Sequence, residues 1–338
     1  MNGEPGGSAE TSGASSSPAA TSASRTTSWW LRLALIVGSF AALGWIAWSG
    51  YPALSEQPLR IAPGRLAAAL GAYSVAVLSA AYGWHLIVRD LGGSTSIGFD
   101  VRAFLLSLAA RRLPGGIWGL AGRLFLYRQT GTGGTATLAL VVEGVVIIGS
   151  ALVLALPLGV LTAAPVAGAT YVAGLVGLAT LALALQPAIL GRALDWAGAR
   201  IGAPAPRVAG RSVAGWLLAY SVVWLAGGLV LYFVCDALTP VAPSALPAIV
   251  AAWVLAGVAS SLVYFVPGGL GITELALTAL LTATLPGPTA VAAALVMRAF
   301  TTAGDLLWTG VAILAGGRLG SVGSRPGSPG DRRASAPK

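Results

Sequence analysis

Four ionisable residues interrupt long apolar stretches: Arg123 and Glu143 in the first half of the chain, Glu274 and Arg298 in the second. Asp305 follows Arg298 by two helical turns, on the same face of a helix. Near the centre of a bilayer each such charge costs about 2.5–3.5 kcal/mol on its own, so keeping all of them requires partners or water. The acids are single and spread out, which argues against clustered acid–base or metal chemistry. Cys235 and His85 are the only residues of their types, so a disulfide framework or a Cys/His metal site is not expected, and His85 reads as ordinary packing. No Gly-rich Lys-Ser/Thr phosphate loop occurs, so neither ATP nor any cofactor is expected. What remains is recognition: Arg123 is the best phosphate ligand on offer, with the acids as counter-charges or proton carriers. The order of signs is reversed between the halves, which predicts pairing across a pseudo-two-fold axis, Arg123 facing Glu274 and Glu143 facing Arg298. Such pairs either pin two halves together or line a substrate path.

The elements that carry these residues belong to a bilayer. Of 338 residues 56% are apolar and 9% charged, against about a quarter charged in a soluble domain. Segments long enough to cross a hydrocarbon core run at 29–50, 65–88, 135–157, 165–187, 211–235, 246–265 and 288–315, with shorter or broken apolar pieces at 101–128 and 272–285. Trp29, Trp30, Trp45, Trp48 and Tyr51 flank the first span as an aromatic belt. Residues 1–28 read as a disordered tail and 317–338 as a disordered basic tail. The net charge of +9 comes from arginines scattered between spans, all basic residues but Lys338 being Arg, so it speaks of membrane orientation and not of nucleic acid. Connections 89–112 and 189–211 are Arg-rich while 158–164 and 236–246 are nearly uncharged, which puts both termini in the cytoplasm of a cell-membrane protein. Arg111 and Arg112 then read as topology anchors.

Within the membrane domain, 29–316, an internal repeat emerges. Ala72-Tyr73-Ser74-Val75 recurs as Ala219-Tyr220-Ser221-Val222, Leu113-Pro114-Gly115-Gly116 as Val266-Pro267-Gly268-Gly269, and Thr135-Ala136 as Thr289-Ala290, in one order. The copies span about 65–160 and 211–316, and the charge rule has them entering from opposite faces, an inverted repeat. Pro removes a backbone donor and Gly favours non-helical backbone, so each Pro-Gly-Gly breaks a helix into a re-entrant hairpin. The freed backbone needs a protein or water partner; half-helix N-termini at Ile117 and Ile272 would face something anionic. The expected fold is an all-α polytopic membrane protein of about six full transmembrane helices and two broken hairpins, eight full segments being the alternative.

These residues resemble the transmembrane region of lysylphosphatidylglycerol synthases and its stand-alone, flippase-like relatives. Val266-Pro267-Gly268-Gly269-Leu270-Gly271-Ile272-Thr273-Glu274 is similar to that family's Pro-Gly-Gly-Leu-Gly-Val-x-Glu, followed by a span with an Arg, here Arg298. Leu113-Pro114-Gly115-Gly116 with Arg123, Gly131 and Glu143 is the weaker match, and the resemblance covers about 30–316. Where the family commonly has Glu-Arg, Glu143 is followed by Gly144. The resemblance implies translocation, flipping or scrambling, of a phospholipid, glycolipid or lipid-linked precursor, with membrane lipids as partners. The soluble lysyl-transferase domain of the synthases is not expected, so the chain is not read as an enzyme. Two other readings stay open: a membrane-embedded transferase on lipid-linked sugars, and a non-catalytic subunit of a cell-envelope biosynthesis complex.

Overall fold

The computed structural model describes residue 48 and residues 62–112, 118–161, 167–184, 186–202, 208–262 and 272–319. The expected first span, both tails beyond these limits, and the residues Pro114, Gly115, Gly116, Pro267, Gly268, Gly269 and Gly271 lie outside them. The described residues form ten α-helices, α1 (Pro63–Asp90), α2 (Ile97–Ala110), α3 (Trp118–Gln129), α4 (Gly133–Leu161), α5 (Ala167–Ala184), α6 (Pro187–Ile201), α7 (Gly210–Leu238), α8 (Leu246–Leu262), α9 (Ile272–Leu281) and α10 (Gly287–Leu319), with one 3₁₀ turn at Pro243–Ala245. Among the described residues, five segments are long and apolar enough to cross a bilayer: Pro63–Asp90, Gly133–Gly159, Gly210–Leu238, Pro243–Ser261 and Gly287–Ala315. Their outward positions carry exposed Val75, Leu78, Val141, Val145, Leu218 and Leu314, a surface suited to lipid.

The two expected copies pack antiparallel and reciprocally. The first helices of the two copies, α1 and α7, run antiparallel and make the most extensive helix contact of the fold. Their opposite ends are tied together, with Ala62 N donating to Ala237 O and Arg65 Nε 2.7 Å from Asp236 Oδ2 at one end. At the other end Trp216 Nε1 donates to Asp90 Oδ2. Small residues permit this approach: Gly83 sits under the Tyr220 ring, and Ser79 Oγ donates across the seam to Ala219 O at 2.9 Å. A Cβ at Gly83 would lie 2.8 Å from that ring. The remaining helices swap partners in the same sense. The first arm of hairpin one, α2, packs on α10, the last helix of copy two; the first arm of hairpin two, α8, packs on α4, the last helix of copy one.

The two arms of each expected hairpin pack on one another, α2 on α3 and α8 on α9, with the Pro-Gly-Gly stretches between them outside the described residues. They differ in proportion. Pro243–Ser261 has the length of a full crossing, whereas α9 has 10 residues, about 15 Å of helix. The 189–211 connection, expected as an Arg-rich loop, is instead largely the helix α6. Pro187 starts it, a position where the missing donor costs nothing, and Gly202 closes it at φ 70°, a left-handed conformation that glycine adopts freely. Leu190, Leu194, Ala197 and Ile201 turn inward while Arg192, Trp196 and Arg200 stay exposed, with the Arg200 guanidinium 4.3 Å from the Trp196 ring. The amphipathic period was hidden because its arginines were counted as loop charges.

Candidate functional site

Between the hairpins and the α1–α7 seam lies a cavity of about 530 Å³, and Arg123, Glu143, Glu274 and Arg298 all line it. The four side chains singled out in the sequence thus come together, but their pairing is not the one expected. Arg123 on α3 meets Glu143 on α4, Nη1 to Oε2 at 2.7 Å. Arg298 on α10 meets Glu274 on α9, Nη1 to Oε1 at 3.4 Å. Each pair closes within its own copy, because the second arm of each hairpin folds directly against the helix that follows it. The expected pairs, Arg123 with Glu274 and Glu143 with Arg298, are corrected accordingly.

A tyrosine from each copy crosses to the other. Tyr220 Oη donates to Glu143 Oε1 at 2.7 Å, so both oxygens of that carboxylate are engaged. Tyr73, its counterpart in the other Ala-Tyr-Ser-Val segment, donates to Asp305. The two tyrosines escaped the search for charges, although the repeat itself pointed to them: two phenols at equivalent places in apolar spans need partners.

Around Arg123 the walls are aromatic. Its guanidinium lies 4.3 Å from the Trp84 ring and 4.5 Å from the Phe104 ring, a cation–π sandwich. Trp84 Nε1 donates to Tyr127 Oη at 2.8 Å, and Tyr127 donates in turn to Asp100, which is fully buried. The other Asp100 oxygen lies 2.6 Å from His85 Nδ1. His85, expected as plain packing, thus ends a hydrogen-bonded chain that leads back to the cavity arginine.

Asp305 does continue the inward face of α10, yet its partners are Arg111 and Arg112. Arg111 Nη2 is 2.9 Å from Oδ1, and Arg112 Nε is 2.6 Å from Oδ2. These two arginines, expected as topology anchors, line the cavity at the end of α2 and clamp that end to α10. Thr309 Oγ1 adds to the clamp by donating to Leu105 O and accepting from Ala109 N. The adjacency of Arg111 and Arg112 to the Pro-Gly-Gly break was the sequence signal for this role. At the second break α9 starts at Ile272, as expected, and the anion in its first turn is Glu274 itself.

Chemically, the site is a mostly apolar chamber with four guanidinium groups and two carboxylates on its wall, Asp305 sitting just behind. Ser260 Oγ and Thr273 Oγ1, 2.7 Å apart, bridge the two arms of hairpin two. Such a chamber has the make-up to bind and orient a polar group; among the described residues its wall has no paired carboxylates and no nucleophile–base arrangement. In a comparison with protein families, the model described as the lysylphosphatidylglycerol synthase TM region matches residues 26–308. None of the curated proteins compared with the chain matches it.

Proposed function

The chain belongs to the lysylphosphatidylglycerol synthase transmembrane-region family, a family of lipid-handling membrane proteins, and from that premise we propose that it moves a lipid headgroup between leaflets. The observation that carries the reading is the cavity itself: charged groups gathered in an apolar bundle where two broken hairpins meet. A phospholipid, glycolipid or lipid-linked precursor would pass its headgroup through the chamber while its tails stay in the bilayer. Membrane lipids are then the partners, the process is binding and exchange without a chemical step, and the protein resides in the cell membrane with both termini cytoplasmic.

Purified protein in vesicles carrying a headgroup-labelled lipid in one leaflet should accelerate its exchange, and Glu274→Ala should abolish the acceleration. Exchange at the wild-type rate in that variant would remove Glu274 from the path. Orientation is read by Ala110→Cys, Ser244→Cys and Ser321→Cys in turn. The single native cysteine, Cys235, is buried and gives little background. Reagent reaching Ser321→Cys from outside would overturn the inward termini.

A further inference from the structure

We propose that this cavity selects an anionic lipid headgroup that carries no ammonium group, and rejects a cationic one; this rests on the translocation reading and names its substrate class. The argument is an asymmetry of exposure among the charges. The carboxylates are withdrawn: the side chains of Glu143, Glu274 and Asp305 are 6%, 2% and 0% exposed. Three of the arginine side chains that hold them are more open, Arg298 at 23%, Arg112 at 19% and Arg111 at 49%, while Arg123 is withdrawn at 8% with its carboxylate. Among the described residues, four arginines on the wall face three carboxylates at or behind it, so the inner surface presents net positive charge. Asp100 does not alter this surface, since its oxygens are occupied by Tyr127 and His85.

An ammonium group entering the chamber would need a carboxylate to receive it. Each one here already carries a guanidinium, and Glu143 and Asp305 carry a tyrosine hydroxyl as well. A phosphate meets the opposite situation, with three partly open arginine side chains whose donors suit its geometry. The other polar lining is neutral: Ser107, Ser261 and Thr301 donate to carbonyls of their own helices, leaving hydroxyl oxygens for an uncharged polyol or sugar. The same chemistry fits a free phosphate monoester, but the apolar remainder of the wall commits the proposal to a lipid.

The test compares short-chain phosphatidylglycerol, cationic lysylphosphatidylglycerol and soluble glycerol 3-phosphate as ligands of the detergent-solubilised full chain, read by thermal stabilisation. The same two headgroups on long-chain lipids are then followed for exchange in vesicles. Like charges brought together cost enough to expect apparent affinity for phosphatidylglycerol at least about tenfold above that for the cationic lipid. Arg298→Gln should erase the difference and Arg298→Lys should restore part of it. Equal or better binding of lysylphosphatidylglycerol overturns the proposal, and so does stabilisation by glycerol 3-phosphate equal to that by the lipid. If vesicles show no exchange of either lipid while binding still discriminates, translocation fails and the selectivity stands.

Discussion

The two arginine–glutamate pairs use the same side chains in the same cavity, yet they are built for different tolerances. Arg123 and Glu143 are 2.7 Å apart, both almost fully buried, with the guanidinium clasped between Trp84 and Phe104 and the second carboxylate oxygen taken by Tyr220. Arg298 and Glu274 are 3.4 Å apart, and the arginine is partly open. Charge-assisted bonds are strongest near 2.7–2.9 Å, so the second pair is the looser one. The tight pair fixes the geometry of copy one; the looser pair has less to lose when a headgroup competes for its arginine.

The largest expected consequence concerns the tight pair. Arg123→Ala leaves a buried carboxylate and a tyrosine hydroxyl facing each other without a cation, and should cost about 3–5 kcal/mol of stability. Unfolding of the detergent-solubilised protein, followed by tryptophan fluorescence, measures it; a loss under about 1 kcal/mol would mean that the pair is hydrated and would erase the contrast. Asp305→Asn should have an intermediate effect, about 2 kcal/mol, because it removes charge but not volume and Arg111 is already half exposed. The variant should also expose the Arg111-Arg112 segment to trypsin, and unchanged resistance would argue against the clamp. The smallest effect belongs to Arg298→Ala, about 1–2 kcal/mol in stability, since Glu274 stays buried but water can enter beside the partly open arginine, together with loss of lipid exchange. A destabilisation equal to that of Arg123→Ala would make both pairs structural and end the comparison.

How much of this was legible depended on what kind of signal each residue left. Arg123, Glu143, Glu274 and Arg298 stood out because a charge in an apolar run is costly wherever it points. Their partners did not, since reversed sign order fits both pairing across an axis and pairing along the chain. Chain connectivity decides: α3 leads into α4, and α9 into α10, through short turns that place each arginine beside the nearest glutamate. The duplication, read from three short matches, gave α1 and α7 equivalent places, and the two helices run antiparallel. Arg111, Arg112 and the helix α6 were missed for a common reason: arginines between spans were taken as topology signals, and no one-dimensional count reveals that Asp305 waits on the far side of the bundle.

That last distance bears on how the molecule comes to be built. Arg123 and Glu143 are 20 residues apart and can meet once α4 has been synthesised and inserted. Arg111 and Asp305 are 194 residues apart, and Tyr73 and Asp305 232. Long separations make closure slower and leave the groups to be solvated in the meantime. Until α10 is in place, the end of α2 therefore carries two adjacent arginines with their eventual counter-ion not yet made, and α10 is the helix that closes the chamber.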